Sequence, residues 1–174
     1  MVSGAAKIAT WIIRLLQFFF AVILMGITSY MVDQYRDGGF RVLREVSLPL
    51  AASVIALILT MLSMAAIFFL NHTLQLVAAF LDFVVFVLYL ASAILLRHNY
   101  HGDRRRNPLW WSLMDVRRAQ LEGDHPDLMS GLVKLLVAGV IIQLFLFFAT
   151  TVLGILAATR SDSNRTRRSR GTVV

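Results

Sequence analysis

Four long apolar stretches, at about residues 8–32, 46–70, 73–96 and 132–158, occupy more than half of the 174-residue chain. Each is close to the ~20 residues that a helix needs to cross a hydrocarbon core about 30 Å thick. A soluble domain would space its apolar residues to leave one wet face, whereas Leu48–Leu70 runs without a single charge. A backbone in lipid must satisfy its own hydrogen bonds, so each stretch is expected to be a helix. The fold class that follows is all-α: a four-transmembrane-helix bundle over residues 1–159, followed by a basic tail over 160–174.

Hydrophobic residues make up 58% of the chain and the mean hydropathy is +0.72, values that exclude a disordered chain and disfavour a soluble domain. The net charge of +7 sits mostly in loops and ends. Basic residues flanking spans are signals of topology and anionic lipid, so they give no reason to expect nucleic acid. The absence of cysteine removes disulfides, thiol catalysis, cysteine-ligated metals and palmitoylation. Lys7 and Arg14 precede the apolar run Leu15–Val32, which is longer than a signal-peptide core and is closed by no small-x-small site, so it reads as an uncleaved first span.

The loops differ in kind. Asp33–Glu45 is short and carries Gly38-Gly39; Pro49 is expected in the first turn of span two. Asn71-His72 leaves room only for a tight antiparallel hairpin. The third connection, Arg97–Gly131, is long. Within it Asn107-Pro108 has the pattern of an N-cap and first helical residue. Leu109, Trp110, Leu113, Met114, Val116 and Leu121 then share one side of a helix, and Ser112, Asp115, Arg118 and Glu122 share the other. Arg117 and Gln120 fall at or inside the apolar arc. A short interfacial helix with Trp110 and Trp111 anchored at headgroup level is the expected result. The tail, SDSNRTRRSRG, has no apolar periodicity and is expected to be disordered.

Four spans put both termini on one side. That side carries seven basic residues (Lys7, Arg14 and five tail arginines), and the other carries nine, or ten with Lys134. Counted this way, the positive-inside rule nominally places the loops in the cytosol.

Asp82 is the most informative single residue, because it lies well inside span three. At 1.5 Å per residue it is about 13 Å deep, Arg14 and Gln17 are roughly 9 and 13 Å into span one, and Gln143 reaches a similar level from the far face. A buried polar layer of Arg14, Gln17, Asp82 and Gln143, with Arg14–Asp82 as its ion pair, is predicted. Such a layer fixes helix rotation and register. The alternative, an ion or proton relay in a small transporter, usually brings more polar residues, broken helices and internal repeats.

Other features are weaker. His98 and His101, with Asp103 beyond them, have a spacing that a metal site can use, but no second ligand pair accompanies them. The sequons at Asn71 and Asn164 both lie near a span end, where glycosylation is disfavoured. No H-E-x-x-H, G-x-S-x-G, P-loop or G-x-G-x-x-G pattern occurs, so no catalytic, cofactor-binding or metal-binding set is assigned. Small residues at Ala51-Ala52-Ser53, Ala65-Ala66, Ala91-Ser92-Ala93, Gly139 and Gly154 permit close helix contacts, and Phe145, Phe147 and Phe148 suit lipid or packing.

Taken together, Arg14-Leu15-Leu16-Gln17-Phe18 running into Ala21–Tyr30, Leu81-Asp82-Phe83 running through Ala91–Arg97, and the hairpin between spans two and three give the chain a family likeness. Over residues 7–160 it resembles the small fungal MARVEL-domain membrane proteins, relatives of the MAL, physin and occludin four-span families. The resemblance implies both termini in the cytosol, a role in membrane apposition, trafficking or lateral membrane domains, and no catalysis. The chain departs from many of those relatives in lacking loop cysteines and in its more basic long loop. The expected partners are the bilayer of a plasma membrane or endomembrane, anionic lipids at the arginine-rich tail or loop, and other copies or membrane proteins. An accessory subunit of a biosynthetic membrane enzyme is a further alternative.

Overall fold

The computed structural model describes residues 4–66, 72–101, 103–119 and 126–170, with side chains over 8–64, 77–101, 103, 105–119 and 127–156. The described elements are helical: α1 (Gly4–Asp37), α2 (Arg44–Ala66), α3 (His72–Leu95), α4 (Pro108–Ala119) and α5 (Pro126–Arg170), with 3-10 turns at Leu96–Asn99 and Arg104–Arg106. Four of them contain stretches long and apolar enough to cross a bilayer, at Ile8–Asp37, Arg44–Met64, Val77–Asn99 and Asp127–Leu156. The chain is an integral multi-pass membrane protein. Each span packs against two neighbours in the ring order α1, α2, α3, α5, which leaves α1 and α3 on a diagonal. The start of α1 and the far end of α5 share one end of the bundle, the terminal end. Both the α1–α2 loop and α4 lie at the other, the loop end.

Local chemistry sets the helix limits. At the end of α1 the Phe40 amide bonds the Tyr35 carbonyl at 2.9 Å and the Gly39 amide bonds that of Arg36 at 3.0 Å, with Gly39 at φ +70°. This paired reversal needs a left-handed residue just past the helix, which glycine supplies without strain. Span two begins earlier than expected, because the Val46 and Ser47 amides fold back to Leu43 and form a turn from Arg44. Pro49 therefore lies in the second turn rather than the first, and the Glu45 carbonyl lacks the donor a non-proline residue would supply. Past span four, α5 continues as helix to Arg170, where a disordered tail was expected from 160 onward. The link between α2 and α3 lies outside the described residues, as does Asn71; Asn164 lies on α5, and its side chain is also outside the description.

Packing follows a small-residue logic. A Cβ at Gly154 would come within 2.8 Å of the Ala79 Cβ, and one at Gly139 within 2.8 Å of Leu24 Cδ2. These are the close approaches of α5 to α3 and to α1 for which glycine leaves room. Hydroxyls within the spans mostly bond their own helices: Thr28 to Leu24, Thr60 to Ala56, Ser92 to Leu88 and Thr151 to Phe147. Such side chains are polar in name but make no demand on a neighbour. The three phenylalanines of span four divide, with Phe147 buried in the core and Phe145 and Phe148 exposed toward lipid.

Candidate functional site

A helix can hide a hydroxyl against its own carbonyls, but an arginine, a carboxylate or a carboxamide needs partners from elsewhere. Near the terminal end these partners are supplied across the bundle. Arg14 on α1 donates through Nη1 to Asp82 Oδ1 at 2.7 Å and through Nη2 to Oδ2 at 2.5 Å. That is a two-pronged ion pair bridging the diagonal between α1 and α3, and it is buried, with Arg14 5% and Asp82 2% exposed. The same Nη1 donates to Gln17 Oε1 at 3.1 Å, one turn along α1. Gln17 Nε2 in turn donates to Thr150 Oγ1 at 3.2 Å on α5, and Gln143 Nε2 donates to the Gln17 carbonyl at 2.8 Å.

All four predicted members of the layer are thus brought together. Thr150 completes it, and sequence reasoning passed it over; its signal is the two-turn spacing from Gln143, which puts both on one face of α5. Three helices contribute, while on α2 the hydroxyls of Ser53 and Thr60 bond carbonyls of their own helix. Parallel forked hydrogen bonds are the strongest geometry available to an arginine and a carboxylate, and in a dry interior each charge cancels the other's demand for water. Around the layer, Arg14 Nε, Gln143 Oε1 and the Tyr89 hydroxyl are buried without a partner among the described residues. Tyr89, two turns beyond Asp82 on α3, stacks on Phe147 with ring centres 5.8 Å apart.

The loop end is organised by α4. Its expected apolar side exists, but it faces the bundle: Leu109, Trp110, Leu113, Met114 and Val116 are all buried in the common core. The expected pair of interfacial anchors therefore divides. Trp110 is 6% exposed and packs inward, while Trp111 is 42% exposed and donates from Nε1 to the Arg105 carbonyl at 2.8 Å. Arg117, which falls at or inside the apolar arc, is buried as well. The N-cap is reassigned as well. Asn107 directs its Nδ2 to the His101 carbonyl at 3.2 Å, and the Leu109 amide is capped instead by Asn99 Oδ1 at 2.9 Å. The Tyr35 hydroxyl donates to Ser112 at 2.9 Å and ties α4 to α1.

The histidines have simpler surroundings. His98 Nε2 accepts from Arg97 Nε at 3.0 Å, and among the described residues no group of three His, Asp or Glu side chains could hold a metal ion. No protein family, curated protein or solved structure matches this chain.

Proposed function

We propose that the protein is a non-catalytic organiser of membrane structure, acting in lateral domains, membrane apposition or trafficking through its helix faces. The observation that carries this reading is the Arg14–Asp82 pair. Both oxygens of the carboxylate and both terminal nitrogens of the guanidinium are engaged by each other, which is the arrangement of a register lock. A lock of this kind holds two diagonal helices in a fixed rotation and presents a constant outer surface to lipid and to neighbouring proteins. The likeness to MARVEL-domain proteins supports the same role.

A second reading, a small transporter using the same pair, draws on the buried atoms Arg14 Nε, Gln143 Oε1 and Tyr89 Oη, which a passing polar species could engage. The deciding experiment reconstitutes the full chain and its Asp82→Asn variant in liposomes, reading ion and proton flux alongside thermal stability. The organiser reading expects no flux above protein-free vesicles and a lower melting temperature in the variant. Flux in the parent that Asp82→Asn abolishes transfers the function to the transporter. An enzyme that copurifies in fixed stoichiometry would instead make the chain an accessory subunit.

A further inference from the structure

At the loop end, α3 leaves the apolar zone with Ile94 and Leu95 still exposed, and Arg97 follows two residues later. The chain then folds back on itself. Asn99 caps α4, Asn107 holds the His101 carbonyl, and Tyr100 donates to the Ala93 carbonyl at 2.7 Å. This closure sets the 3-10 turn Arg104–Arg106 beside the start of α4, with Trp111 bonded to its backbone. Arg97, Arg105, Arg106, Tyr100 and Trp111 are all exposed around this collar. None of the three arginines meets a carboxylate among the described residues. Asp103 is the acid within the collar, where its Oδ1 accepts from the Arg105 amide; farther along α4, Asp115 is 4.0 Å from Arg118. The collar thus combines net positive charge with two amphipathic aromatic rings at the level where lipid-facing residues stop.

We infer that the collar formed by Arg97, Arg105, Arg106 and Trp111 binds the headgroups of anionic phospholipids. Guanidinium groups pair with phosphate through forked hydrogen bonds, and an indole edge favours the headgroup boundary. The inference builds on the membrane-organiser reading by naming the lipid class that the protein would gather around itself. It also separates α4 from an ordinary amphipathic anchor: its apolar face is spent on the bundle, so its contact with lipid rests on charge and one tryptophan.

The test titrates the purified full-length protein in neutral detergent with phosphatidylglycerol, phosphatidylcholine or inorganic phosphate, reading bound lipid by native mass spectrometry and melting temperature in parallel. Phosphatidylglycerol is expected to bind and stabilise in preference to phosphatidylcholine, with the preference weakened by high salt. Each Arg→Gln change at 97, 105 or 106 should weaken it about fivefold, and the triple variant on the order of 100-fold. The single variants Arg105→Gln and Arg106→Gln carry the test if the triple variant does not fold. Equal binding of the two lipids, or wild-type preference in the arginine variants, overturns the inference. So does a loss that follows Arg165→Gln/Arg167→Gln/Arg168→Gln in the tail instead. Equal stabilisation by inorganic phosphate would assign the effect to a free anion and overturn the lipid assignment. Unaltered stability in phosphatidylcholine with no anionic preference would leave the organiser reading standing while removing this one.

Discussion

At the terminal end, three helices meet through a guanidinium, a carboxylate, two carboxamides and a hydroxyl; at the loop end, a 12-residue helix closes the bundle with leucine, methionine, valine and tryptophan. The first arrangement is directional. It fails if one partner is missing, because the remaining charge is stranded in a dry interior. The second is cumulative, since burial adds up over many contacts and tolerates the loss of any one of them more gracefully. A bundle built this way has a register fixed at one end and a closure held by area at the other. The contrast also tells where a substitution is felt: globally at the ion pair, locally at α4.

The largest effect is expected from Asp82→Leu. Stranding Arg14 should cost about 3–5 kcal/mol, read as a collapse in the yield of monodisperse protein and a lower midpoint of unfolding. The double variant Arg14→Leu/Asp82→Leu should recover much of that loss, since two apolar residues of suitable size can replace a buried pair. A double variant as damaged as the single one would show that the two ends do not differ in the way described. Next in size is Leu113→Ala, expected to cost about 2–4 kcal/mol of local packing at the loop end. Its signature is faster amide exchange in α4 and around 101–107 while the spans keep their protection. Global unfolding in step with α4 would break the contrast. The smallest effect is Asn99→Ala, where loss of the cap on the Leu109 amide should cost on the order of 1 kcal/mol. Exchange at Leu109 and Trp110 should rise with little change in melting temperature, whereas Asn107→Ala should leave the Leu109 amide protected.

Several of these features could be read along the chain, and their common property is that they are properties of one helix at a time. Span length follows from uninterrupted apolar sequence, and the depth of a charge within a span follows from counting residues at a fixed rise. That was enough to place Arg14, Gln17, Asp82 and Gln143 in one layer. It was not enough to find Thr150, because a threonine in a span is ordinarily content with its own helix, as Thr28, Thr60 and Thr151 are. Only a donor arriving from Gln17 distinguishes it. The α4 segment shows the same limit. Its two faces were legible from the periodicity of Leu109, Leu113 and Val116, whereas Arg117, at or inside the apolar arc, read only as a weakening of the amphipathicity and is buried.

What the apolar side of α4 would rest on was not legible, since periodicity reports that a face is to be buried without reporting by what. Bilayer and bundle both offer an apolar partner, and Trp110 took the bundle. The cap on Leu109 likewise went to Asn99, ten residues away, rather than to the neighbouring Asn107.

The sequence by itself determined that this chain is a set of four membrane-length helices with one charge pair at matched depth, because hydrophobic length and helical rise are local quantities. Only the tertiary structure decided that α1 and α3 lie on a diagonal bridged by that pair, that Gly154 and Gly139 bring α5 against its two neighbours, and that α4 turns its apolar side inward. Those outcomes depend on which surfaces compete for the same partner, and competition between surfaces is settled in three dimensions.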